Sequence, residues 1–126
     1  EALIANRYEV MANYAKEMRS ACKAELAVLK AKRADMTTLL AAKRWLHRDA
    51  DKVPAAALPH IELARAEHPI LDKMVAMREE LRQLWLNTSM SREHLTAELA
   101  AWCSKAEASG IAALREFSIM LRTAKA

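Results

Sequence analysis

With 126 residues, one glycine, three prolines, 27 alanines and only 14 valines, isoleucines and threonines, the chain has room for one modest core and is weighted towards helix. No run approaches the roughly 20 apolar residues that span a bilayer, no signal-peptide pattern opens the chain, and a single glycine excludes a phosphate-cradling loop. The net charge of +4 is uneven: residues 16–48 hold nine bases against three acids (Glu17, Glu25, Asp35), a local +6 that leaves −2 elsewhere.

Residues 2–33 predict one long helix. Ile4, Met11 and Met18 alternate with Tyr8, Ala15, Cys22 and Leu29 in steps of four and three, which keeps them on one face. Glu25 interrupts that face and Leu26 takes over. Three heptads make a short coiled-coil seam, so packing against later helices is expected, with a homodimer as the alternative. Asp35 is a candidate N-cap for a second helix over Met36–Arg48, or marks a kink in the first. Val53-Pro54 to Leu58-Pro59 is the clearest break, because proline suits a first helical turn and biases its predecessor away from helix.

A short helix over 55–67 follows, and Pro69 then opens another that runs to Leu86. Ile70, Leu71, Met74, Met77, Leu81, Leu84 and Trp85 give it helical apolar spacing. Residues 87–91 read as a loop, with Ser91 as the next N-cap. Leu95, Leu99, Trp102 and Cys103 form the following stripe. Gly110 predicts a left-handed helix stop, since only glycine takes positive φ without steric cost. Ile111, Leu114, Phe117, Ile119, Met120 and Leu121 line the last helix. The expected fold is all-α: five or six antiparallel helices in a bundle with a long N-terminal helix. It forms a single helical domain over 1–126, and the start at Glu1 makes a fragment of a longer chain the expectation.

Few residues carry chemistry. Cys22 and Cys103 lie far apart with no metal-ligand spacing, and in a helical chain they read as buried, reduced thiols of a cytoplasmic protein. His47, His60, His68 and His94 form no HExxH or ExxH pair, so no metal ligand is assigned. His94 with Glu98 and His68 with Asp72 stand four apart, the spacing of a surface ion pair. No catalytic residue and no cofactor-binding residue is assigned either. What remains is the basic region. Lys30, Lys32, Arg33, Lys43, Arg44, Trp45 and Arg48 are candidate contacts for an anionic surface. Bases around a tryptophan suit a membrane–water interface or nucleic acid. They equally suit a core tryptophan whose basic neighbours face water.

Three stretches carry a family resemblance: Asn6–Met18 (NRYEVMANYAKEM), Leu81–Trp85 (LRQLW), and Trp102–Ile111 (WCSKAEASGI) followed by Leu114, Phe117, Leu121 and Arg122. Together they resemble the C-terminal cytosolic extension of bacterial membrane fatty-acid desaturases. That resemblance implies a non-catalytic accessory or interaction domain at the cytoplasmic face of the membrane, next to the parent's membrane domain or anionic lipid. The parent would be a di-iron enzyme inserting a double bond into an acyl chain, its histidine boxes lying outside this sequence. The terminal pattern, Ser-Gly-Ile and then Leu-x-x-Phe-x-x-x-Leu-Arg, is also similar to a stretch of insertion-sequence transposases. There a helical insertion accompanies a DDE nuclease core, and the basic region would face nucleic acid. The Asn6–Met18 stretch and Leu84-Trp85 favour the desaturase. A helical protein-interaction or dimerisation module is the third reading.

Overall fold

Helix α1 covers Arg7–Ala31 in the computed structural model, which describes residues 7–87 and 89–124. Then follow α2 (Thr37–Ala42), two single 3₁₀ turns (Ala50–Lys52 and Ala55–Ala57), α3 (Leu58–Glu67), α4 (Pro69–Leu86), α5 (Arg92–Ala108) and α6 (Ala112–Ala124). The fold is all-α, with no strand among the described residues. Ile4 of the predicted first face lies outside the described residues. Two compact units divide the chain, residues 15–75 in one and residues up to Tyr14 with those from Ala76 onward in the other.

Local signals set the ends of the elements. Ser91 caps α5: its hydroxyl accepts from the His94 N–H at 3.1 Å. Gly110 has φ +79°, the left-handed stop between α5 and α6. Asp35 acts one position from where a side-chain N-cap would stand, its Oδ1 accepting from the Thr37 N–H at 2.9 Å. Helix α2 ends at Ala42 rather than Arg48. Beyond it the Trp45 N–H donates to the Ala42 carbonyl and the Arg48 N–H to the Trp45 carbonyl, so the helix tightens into turns of the i→i−3 kind. Val53 before Pro54 and His68 before Pro69 leave helical geometry as expected. Leu58 does not, because Pro59 sits inside the first turn of α3 where its missing N–H costs nothing.

Helix α1 ends on a stop that its composition hides. Arg33 has φ +56°. Its N–H donates to the Lys30 carbonyl at 3.1 Å, and the Ala34 N–H donates to the Leu29 carbonyl at 2.9 Å. That pair of bonds is a Schellman motif, with arginine where glycine is usual.

In the unit containing α5 and α6, those two helices lie against each other. Tyr14, Trp102 and Phe117 interlock edge-to-face, with ring centroids 4.9 to 6.1 Å apart. Val10, Met77, Leu81, Leu99, Leu114 and Leu121 complete that interior. Two buried polar groups there are hydrogen-bonded to backbone: the Trp102 Nε1–H donates to the Met77 carbonyl at 2.9 Å and the Ser118 hydroxyl to the Cys103 carbonyl at 3.2 Å. Ser118 also donates to Glu107, which accepts from Arg122 at 2.7 Å. In the unit of residues 15–75, α2 lies against α3, and Leu39, Ala42, Leu46, Ala57 and Ala64 are buried together with Met18, Cys22, Leu71 and Met74.

Several predicted faces shift. Along α1 the buried row is Val10, Tyr14, Met18 and Cys22, whereas Tyr8 is 76% exposed. The heptad-like pattern is replaced by steps of four, because Tyr14 is claimed by the rings of Trp102 and Phe117. On α6, Ile119 and Met120 face solvent and Ser118 is fully buried in their stead, held by two hydrogen bonds. Ile70 is likewise exposed at the start of α4.

Candidate functional site

Within residues 15–75, one open groove of about 710 Å³ gathers cations from two stretches of chain. Helix α1 contributes Arg19 and Lys23, one turn apart, over Cys22 and Leu26, which belong to the same stripe. The tightened turns after α2 contribute Lys43, Arg44, His47 and Arg48. Leu46 turns inward at 3% exposure, and the basic residues flanking it in sequence are left to line the rim. No acid is among its lining residues, and Arg19, Lys23, Lys43, Arg44 and Arg48 all face it.

The Glu25 carboxylate, close enough to act on the Cys22 thiol, is engaged elsewhere. Glu25 Oε1 lies 2.9 Å from His68 Nδ1, and Asp35 accepts from Thr37, whose side chain first and N–H second hold its carboxyl below the usual range. His68 was expected to pair with Asp72 at the surface. Instead it is buried against Glu25, and Asp72 takes Arg65 at 2.6 Å. The expected surface pairing of His94 with Glu98 does occur, at 3.9 Å.

Burial pushes the Cys22 thiol up to about 11; the Glu25 carboxylate adds to that rise and Lys43 works against it. The thiol is therefore protonated at neutral pH and contributes a neutral floor rather than a nucleophile. Both cysteines are free and buried. Among the described residues, no three of His, Cys, Asp and Glu converge in a group able to hold a metal ion.

The residues singled out from the sequence separate into two sets. Lys43, Arg44 and Arg48 line the groove. Lys30, Lys32 and Arg33 sit exposed at the end of α1 and are not part of it. Trp45 is half-buried, neither core nor groove wall, and the Arg44 guanidinium lies 5.1 Å from its ring centroid. Sequence reasoning missed Arg19, Lys23 and His47. The spacing 19, 22, 23, 26 was the available signal, since it puts two bases on the rims of a cysteine–leucine stripe.

Fold and groove together define an all-α segment with one concentrated cationic face. A family model described as a transposase, of the ISL3-type DDE class, matches residues 2–126, and the chain belongs to that family. No curated protein and no solved structure matches it. The match follows the second of the two resemblances, and the preference for a desaturase extension is corrected accordingly: nothing supports that reading, its lipid chemistry or its di-iron parent. The same holds for the membrane partner, the membrane-face location and the homodimer. Among the described residues, no helix is long and apolar enough to cross a membrane. The desaturase pattern misled because its residues share no one role: Tyr14 and Met18 are buried, Leu84 and Trp85 are half-buried and Tyr8 is exposed.

Proposed function

We propose that this chain is a helical, non-catalytic segment of a transposase, accompanying the nuclease core and holding nucleic acid through the groove of residues 15–75. One observation carries the reading: Arg19, Lys23, Lys43, Arg44 and Arg48 face a common groove with no acid among its lining residues, in a chain of a transposase family. Phosphates are the matching partner. A protein that neutralises them with lysine and arginine releases condensed counterions, and its affinity falls linearly with salt on logarithmic axes.

Titration of the 126-residue chain with duplex DNA across a range of NaCl concentrations tests the proposal. Binding that weakens steeply as salt rises is expected. A flat response, or no binding at low salt, removes the reading. Lipid headgroups present the same charge, so vesicles of anionic and of neutral lipid form the second arm. Salt-sensitive binding to anionic vesicles without binding to duplex would reassign the groove to a membrane surface.

A further inference from the structure

We infer that His47 is a proton-dependent contact of the groove, tightening its hold on nucleic acid as pH falls, an inference that rests on the nucleic-acid reading above. His47 is half-buried in the turns after α2, between the buried Leu46 and the exposed Arg48. It lines the groove together with Arg19, Lys23, Lys43, Arg44 and Arg48. Lysine and arginine keep their charge across neutral pH, whereas an imidazole ordinarily changes its own between about pH 5 and 8. His47 is the one lining side chain of that kind. Protonated, it offers the phosphates a sixth cation.

Neighbouring charges decide when that proton is held. Without a polyanion, the cations of α1 and of the turns around His47 oppose a further positive charge. Phosphate oxygens reverse the sign and favour it. Proton and polyanion therefore assist each other, and linkage makes the assistance equal in both directions. No other group of the lining imitates this response, because the Cys22 thiol, pushed up to about 11, keeps its proton throughout. Helix α2 carries no titratable side chain. Glu25 on α1, Glu62 and Arg65 on α3, and Asp49, two positions after His47, lie outside the lining. Carboxylates ordinarily titrate near pH 4, below this range, and arginine far above it. The other histidines of residues 15–75 are His60, exposed on α3, and His68, buried against Glu25; neither lines the groove.

Fluorescence polarisation of a labelled DNA duplex with the 126-residue chain, at about pH 8 and about pH 6 and at several NaCl concentrations each, tests the coupling. Affinity is expected to rise about three- to tenfold at the lower pH, tenfold being the gain when the polyanion strengthens proton binding tenfold. The logarithmic salt slope should steepen by about 0.9, the value for one more neutralised phosphate. His47→Gln should abolish both changes, and His47→Lys should give the steeper slope at both pH values. His60→Gln, outside the lining, should respond as the wild type does. Circular dichroism of each variant verifies that helicity is retained, and the two wild-type slopes are compared without any substitution. Salt-sensitive wild-type binding whose affinity and slope ignore pH overturns the inference, although the nucleic-acid reading then stands. So does a pH response that a folded His47→Gln variant retains. Absence of salt-dependent binding at both pH values removes both.

Discussion

The unit built on α5 and α6 closes around three interlocked rings, whereas residues 15–75 close over leucine, methionine, cysteine and alanine and keep their single aromatic ring half outside. Rings bury large areas and bring directional contacts, so a few of them organise a whole interior. Small side chains bury less each. Residues 15–75 carry the short helices and 3₁₀ turns as well as most of α1, and the long basic side chains of α1 and of the turns after α2 line the groove. The candidate site thus falls in the unit whose interior is built without interlocked rings.

The largest expected effect breaks this comparison at its centre. Phe117→Ala should cost about 3–5 kcal/mol from lost burial and the cavity left behind, beyond the loss of two ring contacts. Leu39→Ala, the corresponding truncation within residues 15–75, should cost less, about 2–4 kcal/mol. Denaturant unfolding measures both. A larger loss at Leu39 than at Phe117 would reverse the ranking of the two interiors.

Next in size come the two left-handed residues, one in each unit. A Cβ added at Gly110 meets nothing within 4 Å, so Gly110→Ala carries only the backbone penalty at φ +79°, about 1–2 kcal/mol. Arg33→Gly works in the opposite direction. It relieves that strain at the Schellman stop, and after glycine's greater unfolded-state freedom it should add about 0.5–1 kcal/mol. Thermal unfolding of the two variants should move in opposite directions, and a destabilised Arg33→Gly would deny the strain at that stop.

The smallest effect is electrostatic. Arg122 and Ser118 donate to Glu107 and hold its carboxyl below the usual 4.5. With the folded value depressed, the contribution is present above the unfolded value and is lost as pH falls through the folded one. Glu107→Gln should therefore lower the melting temperature at pH 7 and lose less of it below pH 4.5. Parallel acid limbs for the two proteins would show that the carboxylate contributes nothing to the α5–α6 contact. Asp35 carries a depressed carboxyl too, from the Thr37 side chain and N–H, and its acid loss falls in residues 15–75.

Much of the fold was readable because its signals are local. Pro69 opens α4, Ser91 caps α5 and Gly110 ends it, each through its own backbone geometry or a hydroxyl within hydrogen-bond reach. Arg33 was not readable as a stop, since nothing in an arginine announces positive φ; only the Lys30 and Leu29 carbonyls, satisfied by the Arg33 and Ala34 N–H groups, reveal it. The candidate site was half readable. Lys43, Arg44 and Arg48 follow from a basic run around Trp45, but Arg19 and Lys23 stand 20 or more positions earlier and join them only across space.

Alanine content, the scarcity of β-branched residues, the caps and the prolines were enough to determine an all-helical chain and most of its breaks, because each acts within one or two helical turns. Tertiary structure decided which faces were buried: Tyr14 instead of Tyr8, and Ser118 instead of Ile119. It also decided that His68 would take Glu25 rather than Asp72, and that two separated basic stretches would share a groove without an acid among its lining residues. The reason is that a helix offers several nearly equivalent faces and many exposed charges. Which of them meets a partner depends on side chains distant in sequence, through packing and Coulomb energies that no local pattern contains.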